Sequence, residues 1–314
     1  MKRRQVLTGL GAAGVAAALS IPDRAIADAR DTFPTTIQLP DGWLPEGIAI
    51  GVAPFAYFGS RADGDIYRAN LVTGAGEVIS QGPGPGFPSV GLKIDQAGRL
   101  FVAGGNAGQA RVVSAGSGHI LATYQLTTAP SFINDVVLAP EGAYFTNSRE
   151  AALYLVPFVE YGMLPAPDAV ERIPLGGQWQ QVDGVNNANG IARTPDGTAL
   201  LVVNSATALL YRVDPETGIA REVDLGGYPL TNGDGLLVEG QTLYVVQNRL
   251  NRVAVLALNL GGTAGTLVTV LSDPRFDVPT TVAAFGDRLY LPNARFTTPP
   301  TPTTPYTAVA VPKP

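Results

Sequence analysis

Short apolar runs alternate with turns from residue 46 to residue 293, and laid over one another they form one module written six times. The module starts read Glu46-Gly47-Ile48, Val90-Gly91-Leu92, Asn134-Asp135-Val136, Asn189-Gly190-Ile191, Asp234-Gly235-Leu236 and Thr280-Thr281-Val282. About ten residues and a turn later comes an apolar run: Phe55 to Phe58, Leu100 to Val102, Tyr144 to Thr146, Leu200 to Val203, Leu243 to Val246 and Leu289 to Leu291. In the fourth module the pattern predicts strands over 189–193, 200–204, 209–213 and 219–225. Pro195-Asp196-Gly197 and Asp214-Pro215-Glu216-Thr217-Gly218 are turns between them, proline presetting φ and glycine accepting a positive one. Tyr211-Arg212-Val213 and Ile66-Tyr67-Arg68 alternate as strands with one face against a neighbour. Four short strands per module of roughly 40–50 residues predict an all-β fold, a six-bladed β-propeller.

The sixth module is incomplete. After Leu289 to Leu291 and the Pro/Thr stretch Thr297 to Pro305, only Thr307 to Val311 remains to make a third strand. Thr35 to Leu39 is a strand without a blade. Pairing it with Thr307 to Val311 would close the ring by an N-terminal strand and remove two open sheet edges.

The first strand of each blade lines the central channel, so equivalent positions meet around one axis. Glu46, Asn134, Asn189 and Asp234 are therefore expected to converge, near the face that carries the blade connections and the loops between second and third strands. Three unusual segments map to that face, Gly82 to Pro88, Pro174 to Ala188 and Thr297 to Pro305, which makes Phe87, Trp179 and Phe296 candidates for an apolar rim. Two carboxylates about 5 Å apart repel by roughly 3 kcal/mol at an effective dielectric near 20. A shared proton, a nearby arginine or a cation would compensate. Two anionic and two amide oxygens suit a hard divalent cation, calcium foremost, and the absence of imidazole and thiolate argues against zinc or copper.

Composition narrows the chemistry. There is no cysteine, so disulfides, zinc thiolates and cysteine nucleophiles are excluded. His119 is the one histidine, and it falls in the predicted outermost strand of the second module, Ser117 to Leu126, so a Ser-His-Asp triad cannot form in the channel. Activated water is then the route left for any hydrolysis. The N-terminus carries Arg3-Arg4 ahead of an uncharged apolar stretch, Leu7 to Ile21, with a small-x-small site at Ala25-Ile26-Ala27. This predicts residues 1–27 as a cleaved twin-arginine signal, residues 28–314 as a single propeller domain, and a secreted or periplasmic protein. The stretch is shorter than the roughly 20 apolar residues of a membrane span. Gly9-x-Gly11-x-x-Gly14 spells a dinucleotide fingerprint without a preceding strand and is set aside. The formal net charge is −5, and cleavage would remove Lys2, Arg3, Arg4 and Arg24 against Asp23 alone, which leaves a more acidic chain. That balance argues against nucleic acid and anionic membrane as partners, and no stable membrane association is expected after cleavage.

The ordered set Pro45-Glu46-Gly47, Asn134-Asp135-Val136 with Pro140-Glu141-Gly142, Asn189-Gly190-Ile191 with Pro195-Asp196-Gly197, and Asp234-Gly235-Leu236 resembles the gluconolactonase/regucalcin (senescence marker protein) family, and more distantly the paraoxonases. The resemblance implies that Glu46, Asn189 and Asp234 bind a divalent cation, most commonly Ca2+. It implies that Asn134 touches both the metal's water and the substrate, that Asp234 is the general base, and that the reaction is the opening of a lactone. Sugar-lactone hydrolases of this family carry an arginine two residues before the asparagine corresponding to Asn134; here the residue is Phe132. An apolar ring there implies a less polar lactone or ester, or a lost activity. Arg61, Arg149, Arg249 and Arg295 follow second strands on the same face and are the available substitutes. The substrate-contacting set is then Asn134, Phe132 and Trp179. The expectation is an exported, divalent-cation-dependent hydrolase of a small-molecule lactone or ester; the alternative is a non-catalytic propeller that binds a ligand or protein and holds a structural channel cation.

Overall fold

Along each second strand, successive side chains enter opposite seams. Leu200 and Val202 pack towards Tyr144 and Leu153, while Leu201 and Val203 pack towards Leu243 and Val245. Repeated around the molecule, this alternation divides the buried apolar side chains into six clusters, one between each pair of adjacent sheets. A ring of blades follows directly, because every sheet is apolar on both faces and must be covered twice. The computed structural model describes residues 33–159 and 163–314. The predicted signal segment 1–27 lies outside the described residues.

The six sheets run in chain order, their first four strands antiparallel from the channel outwards. Their inner strands are Pro45–Ile50, Leu92–Ile94, Ile133–Ala139, Ala188–Arg193, Gly233–Glu239 and Ala283–Phe285, and their second strands Phe55–Ser60, Arg99–Ala103, Gly142–Asn147, Leu200–Asn204, Thr242–Gln247 and Arg288–Pro292. Blade 6 takes Tyr306–Pro312 as its third strand and Thr36–Leu39 as its fourth, Thr36 opposite Val309 and Leu39 opposite Tyr306. Ile37 and Leu39 are buried with Trp43 and Tyr306, and Arg275 donates to Thr35 O at 3.0 Å. No helix among the described residues is long and apolar enough to cross a membrane.

Two details depart from the sequence pattern. His119 is exposed in the turn before the outer strand Ile120–Gln125. Gly176–Gly177 adds a short fifth strand to blade 4, parallel to Ile219–Ala220. A third detail shapes the site. The inner strands of blades 1, 3, 4 and 5 each carry a bulge, where two residues of the inner strand lie opposite one of the second: within Pro45 to Ile48, Ile133 to Val136, Ala188 to Ile191 and Gly233 to Leu236. An extra residue re-aims the side chains beside it. Each bulge contains one of the four oxygen-bearing residues.

Candidate active site

The bulges deliver Glu46, Asn134, Asn189 and Asp234 to one place, the floor of a cavity of about 520 Å³ on the channel axis. All four are buried, at 4–8% exposure. The backbone is stitched tightly around them: Gly91 N donates to Asn134 O, Gly235 N to Thr280 O, and Thr280 Oγ1 to Glu46 O, all within 2.8 Å. Glycine after the channel residue is what permits this approach. A Cβ at Gly190 would overlap the carbonyl of Asp234, and one at Gly235 would overlap Thr281. Blade 3 has Asp135 in that column. Its side chain lies between the two neighbouring inner strands, beside Gly91 on one side and accepting from Ile191 N at 3.3 Å on the other, and Val136 N donates to it at 2.8 Å. Burial raises the Asp135 carboxyl above the usual range, opposed mainly by Lys93.

The two amides are oriented by hydroxyl relays. Ser148 Oγ gives its single proton to Ala188 O at 2.6 Å, so towards Asn134 it can only accept, and Asn134 Nδ2 donates to it at 2.9 Å. Ser205 does the same between Gly233 O and Asn189 Nδ2, at 2.6 and 3.0 Å. Each asparagine thus has its nitrogen anchored to the wall, that of Asn189 with its second N–H towards Asp234, and keeps its oxygen out of the relay. Asn248 Nδ2 donates to Asp234 Oδ2 at 2.6 Å. Arg61, Ser148, Ser205 and Asn248 are each the first residue after a second strand.

The carboxylates carry the cost of convergence. Burial, then repulsion from Asp234, raises Glu46 well above the usual range, against the pull of Arg61. Burial pushes Asp234 up to about 7, against hydrogen bonds from Asn248 and Asn189. Glu46 Oε2 is buried with no hydrogen-bond partner. An orphaned anionic oxygen beside a second carboxylate and two wall-oriented amides is a donor set that fits a hard divalent cation. Among the described residues no three Asp, Glu, His or Cys side chains gather closely enough to hold an ion by themselves, so the two amide oxygens are indispensable to such a site.

Phe132 and Phe296 line the wall, and Arg61, Arg149 and Arg249 the rim. Trp179 does not line the cavity. Its loop is drawn to the outer edge of blade 4 by the Gly176–Gly177 pairing, so the indole packs 4.9 Å from the Tyr211 ring and donates to Gln181. Phe87 also stays outside, its carbonyl held by Arg111 at 3.0 Å, and Arg295 is paired with Asp277 at 2.8 Å.

No sequence-family model and no curated protein matches this chain. Solved structures do match in fold. They include the major allergen Mala s 1 of Malassezia sympodialis, at TM-score 0.67 and 14% identity over 88% of this chain and 96% of that one. A calcium-binding protein, regucalcin, from Agrobacterium tumefaciens strain C58 matches at TM-score 0.63 and 18% identity over 89% and 95%. Virginiamycin B lyase from Staphylococcus aureus matches at 0.58 and 13% over 88% and 99%. At these identities the likeness establishes the fold alone.

Proposed function

We propose that this chain is an exported hydrolase that opens a lactone, or cleaves a related ester, with a divalent cation, calcium in first place, held at the channel floor. The observation that carries this reading is the delivery of Glu46, Asn134, Asn189 and Asp234 by four matching bulges, with both amide oxygens freed by hydroxyl relays. The calcium-binding regucalcin of similar fold and the twin-arginine segment ahead of the described residues support it. So does the pairing of Thr36–Leu39 with blade 6, which we take as the closure of the ring.

Glu46, Asn189 and Asp234 would hold the cation. When bound, it would act as a Lewis acid on the carbonyl and on water. Asp234 keeps one oxygen fixed by Asn248 and accepts the water proton at the other; the water oxygen bonds to the acyl carbon, the ring C–O bond breaks, and the proton passes to the released alkoxide. Asn134 presents its oxygen to orient the water. Phe132 and Phe296 cover the apolar part of the substrate and exclude solvent.

The test is a panel of lactones and aryl esters assayed with calcium and with chelator, together with Asp234→Asn. The expected outcome is calcium-dependent turnover that falls by about two orders of magnitude or more in the variant at saturating metal. Parental turnover in Asp234→Asn would overturn the base assignment. No turnover of any panel member would replace the hydrolase with the ligand-binding propeller.

A further inference from the structure

The rim of the cavity carries a charge pattern that the hydrolysis itself does not use. We propose that the substrate bears an anionic oxyacid group, a carboxylate or a phosphate, gripped at the channel mouth by Arg61, Arg149 and Arg249 while its ester bond lies on the floor below. This rests on the hydrolase reading and adds the substrate class.

The three arginines follow the second strands of blades 1, 3 and 5, one residue after Ser60, two after Asn147 and two after Gln247. Alternate blades of a six-bladed ring stand about a third of a turn apart. The guanidinium groups therefore surround the mouth of the one cavity they all line. None of the three makes a direct ion pair with a carboxylate among the described residues, although Arg61 lies near enough to favour the charged forms of Glu46 and Asp234, whereas Arg68, Arg99, Arg172, Arg275 and Arg295 each do. Arg149 spends one N–H on Gly184 O at 2.8 Å, and Arg61 lies 4.9 Å above the Phe296 ring, an arrangement that fixes its plane. Both retain free edges of their forks, and a guanidinium fork matches carboxylate or phosphate oxygens two at a time.

Charge decides where the anion sits. The chain as a whole is negative, at −5, so an anion is repelled over most of the surface and drawn to the only mouth with three converging guanidinium groups among the described residues. The floor side chains offer it no cationic donor, since Glu46 and Asp234 are acids and the relayed amides of Asn134 and Asn189 are neutral. A substrate with an anionic substituent on one end and an ester on the other is therefore oriented by the rim before it settles. Phe132, in place of a donor, is consistent with this arrangement: it packs against the seam between blades 2 and 3 and leaves recognition to the rim.

The experiment uses matched esters and lactones bearing a neutral amide, a carboxylate or a phosphate. Alongside it, calorimetry follows glutarate, glycerol phosphate and neutral glutaramide as probes that cannot be hydrolysed, on the calcium-loaded protein and on the Arg149→Gln/Arg249→Gln variant. The expected result is a kcat/KM roughly ten- to hundredfold higher for an anionic member than for the neutral one, a gap that shrinks with added salt and closes in the variant. Whether glutarate or glycerol phosphate binds tighter identifies the group. Neutral and anionic members cleaved or bound alike would overturn the proposal and leave the hydrolase standing. Anionic probes bound by the parent and lost in the variant, with no ester cleaved, would sink the hydrolase and keep the mouth assignment.

Discussion

Blades 1, 3, 4 and 5 differ from blades 2 and 6 in the residue that opens the inner strand: Glu46, Asn134, Asn189 and Asp234 against Val90 and Thr280. In the first group the strand is bulged and turns Glu46, Asn134, Asn189 or Asp234 into the channel. In the second the regular strand is shorter, Leu92–Ile94 and Ala283–Phe285; the same one-residue shift lies just ahead of it, where Val90 and Gly91 both face Ala103 and between the pairs Pro279–Asn293 and Ala283–Tyr290, but the residues at the channel position serve packing instead. Val90 is buried in the seam between blades 2 and 3, and Thr280 donates to the carbonyl of Glu46. One module has thus been put to two uses: four copies present convergent polar groups, and in two the channel position supplies an apolar contact or a hydrogen bond to the neighbouring backbone. The contrast makes opposite demands on the two groups, and each can be broken separately.

The largest effect should come from a plain blade. Blade 6 depends on a strand from the other end of the chain, so deletion of residues 28–40 exposes the edge of Tyr306–Pro312 and uncovers the apolar cluster around Ile37 and Trp43. Insoluble protein, or a melting temperature lower by ten degrees or more on the roughly 2–4 °C per kcal/mol scale of a chain this size, is the expected outcome. A soluble truncation with unchanged melting would show that blade 6 stands without its fourth strand.

The next effect belongs to the four blades with polar channel residues and reads their electrostatic cost. In metal-free protein Asp234 has its carboxyl pushed up to about 7, and Glu46 is raised with it. A raised acid favours the folded state only while it stays protonated there, so the contribution is full below the unfolded value near 4 and is lost as pH rises through about 7. Between pH 5 and 8 the metal-free protein should lose roughly 2–3 kcal/mol from Asp234 alone. Millimolar calcium should remove most of that slope, because binding to the folded state alone offsets the repulsion. Denaturant melts across this range with chelator and with calcium make the measurement; parallel curves would remove the cation from the channel floor.

The sequence shows the ring and the four channel residues because both repeat at blade spacing. What it hides is irregular. The bulges leave no mark, since Asn189-Gly190 and Asp234-Gly235 would be equally at home in turns. Asp135 was visible as an acid in a column otherwise filled by Gly or Thr, a signal that becomes physical only when its neighbours are seen to touch. Ser148, Ser205 and Asn248 stand at a fixed place, one residue after the second strand, and aligning strand ends as well as strand starts would have found them. Trp179 misleads because Gly176–Gly177 pairs with Ile219–Ala220, more than 40 residues on, through backbone alone. No side-chain pattern announces such a pairing.

The smallest effect tests whether the blades with polar channel residues work as units of channel residue and wall residue. Ser148→Ala removes the acceptor of Asn134 Nδ2 and the donor to Ala188 O, and Ser205→Ala does the same for Asn189 and Gly233 O. With the relay gone, nothing obliges the amide to keep its oxygen in the channel. Partners of this kind behind a metal ligand typically change affinity by roughly ten- to hundredfold. Ser205→Ala should therefore weaken calcium binding by about tenfold, since Asn189 is a ligand in this reading. Ser148→Ala should leave calcium affinity nearly intact and lower kcat, since Asn134 orients water. Titration calorimetry with calcium, followed by kcat and KM at saturating metal, separates the two. Equal losses of calcium affinity in both variants would mean that Asn134 is a ligand too, and no change in either would reduce the serines to wall packing, with the amides held by the bulges alone.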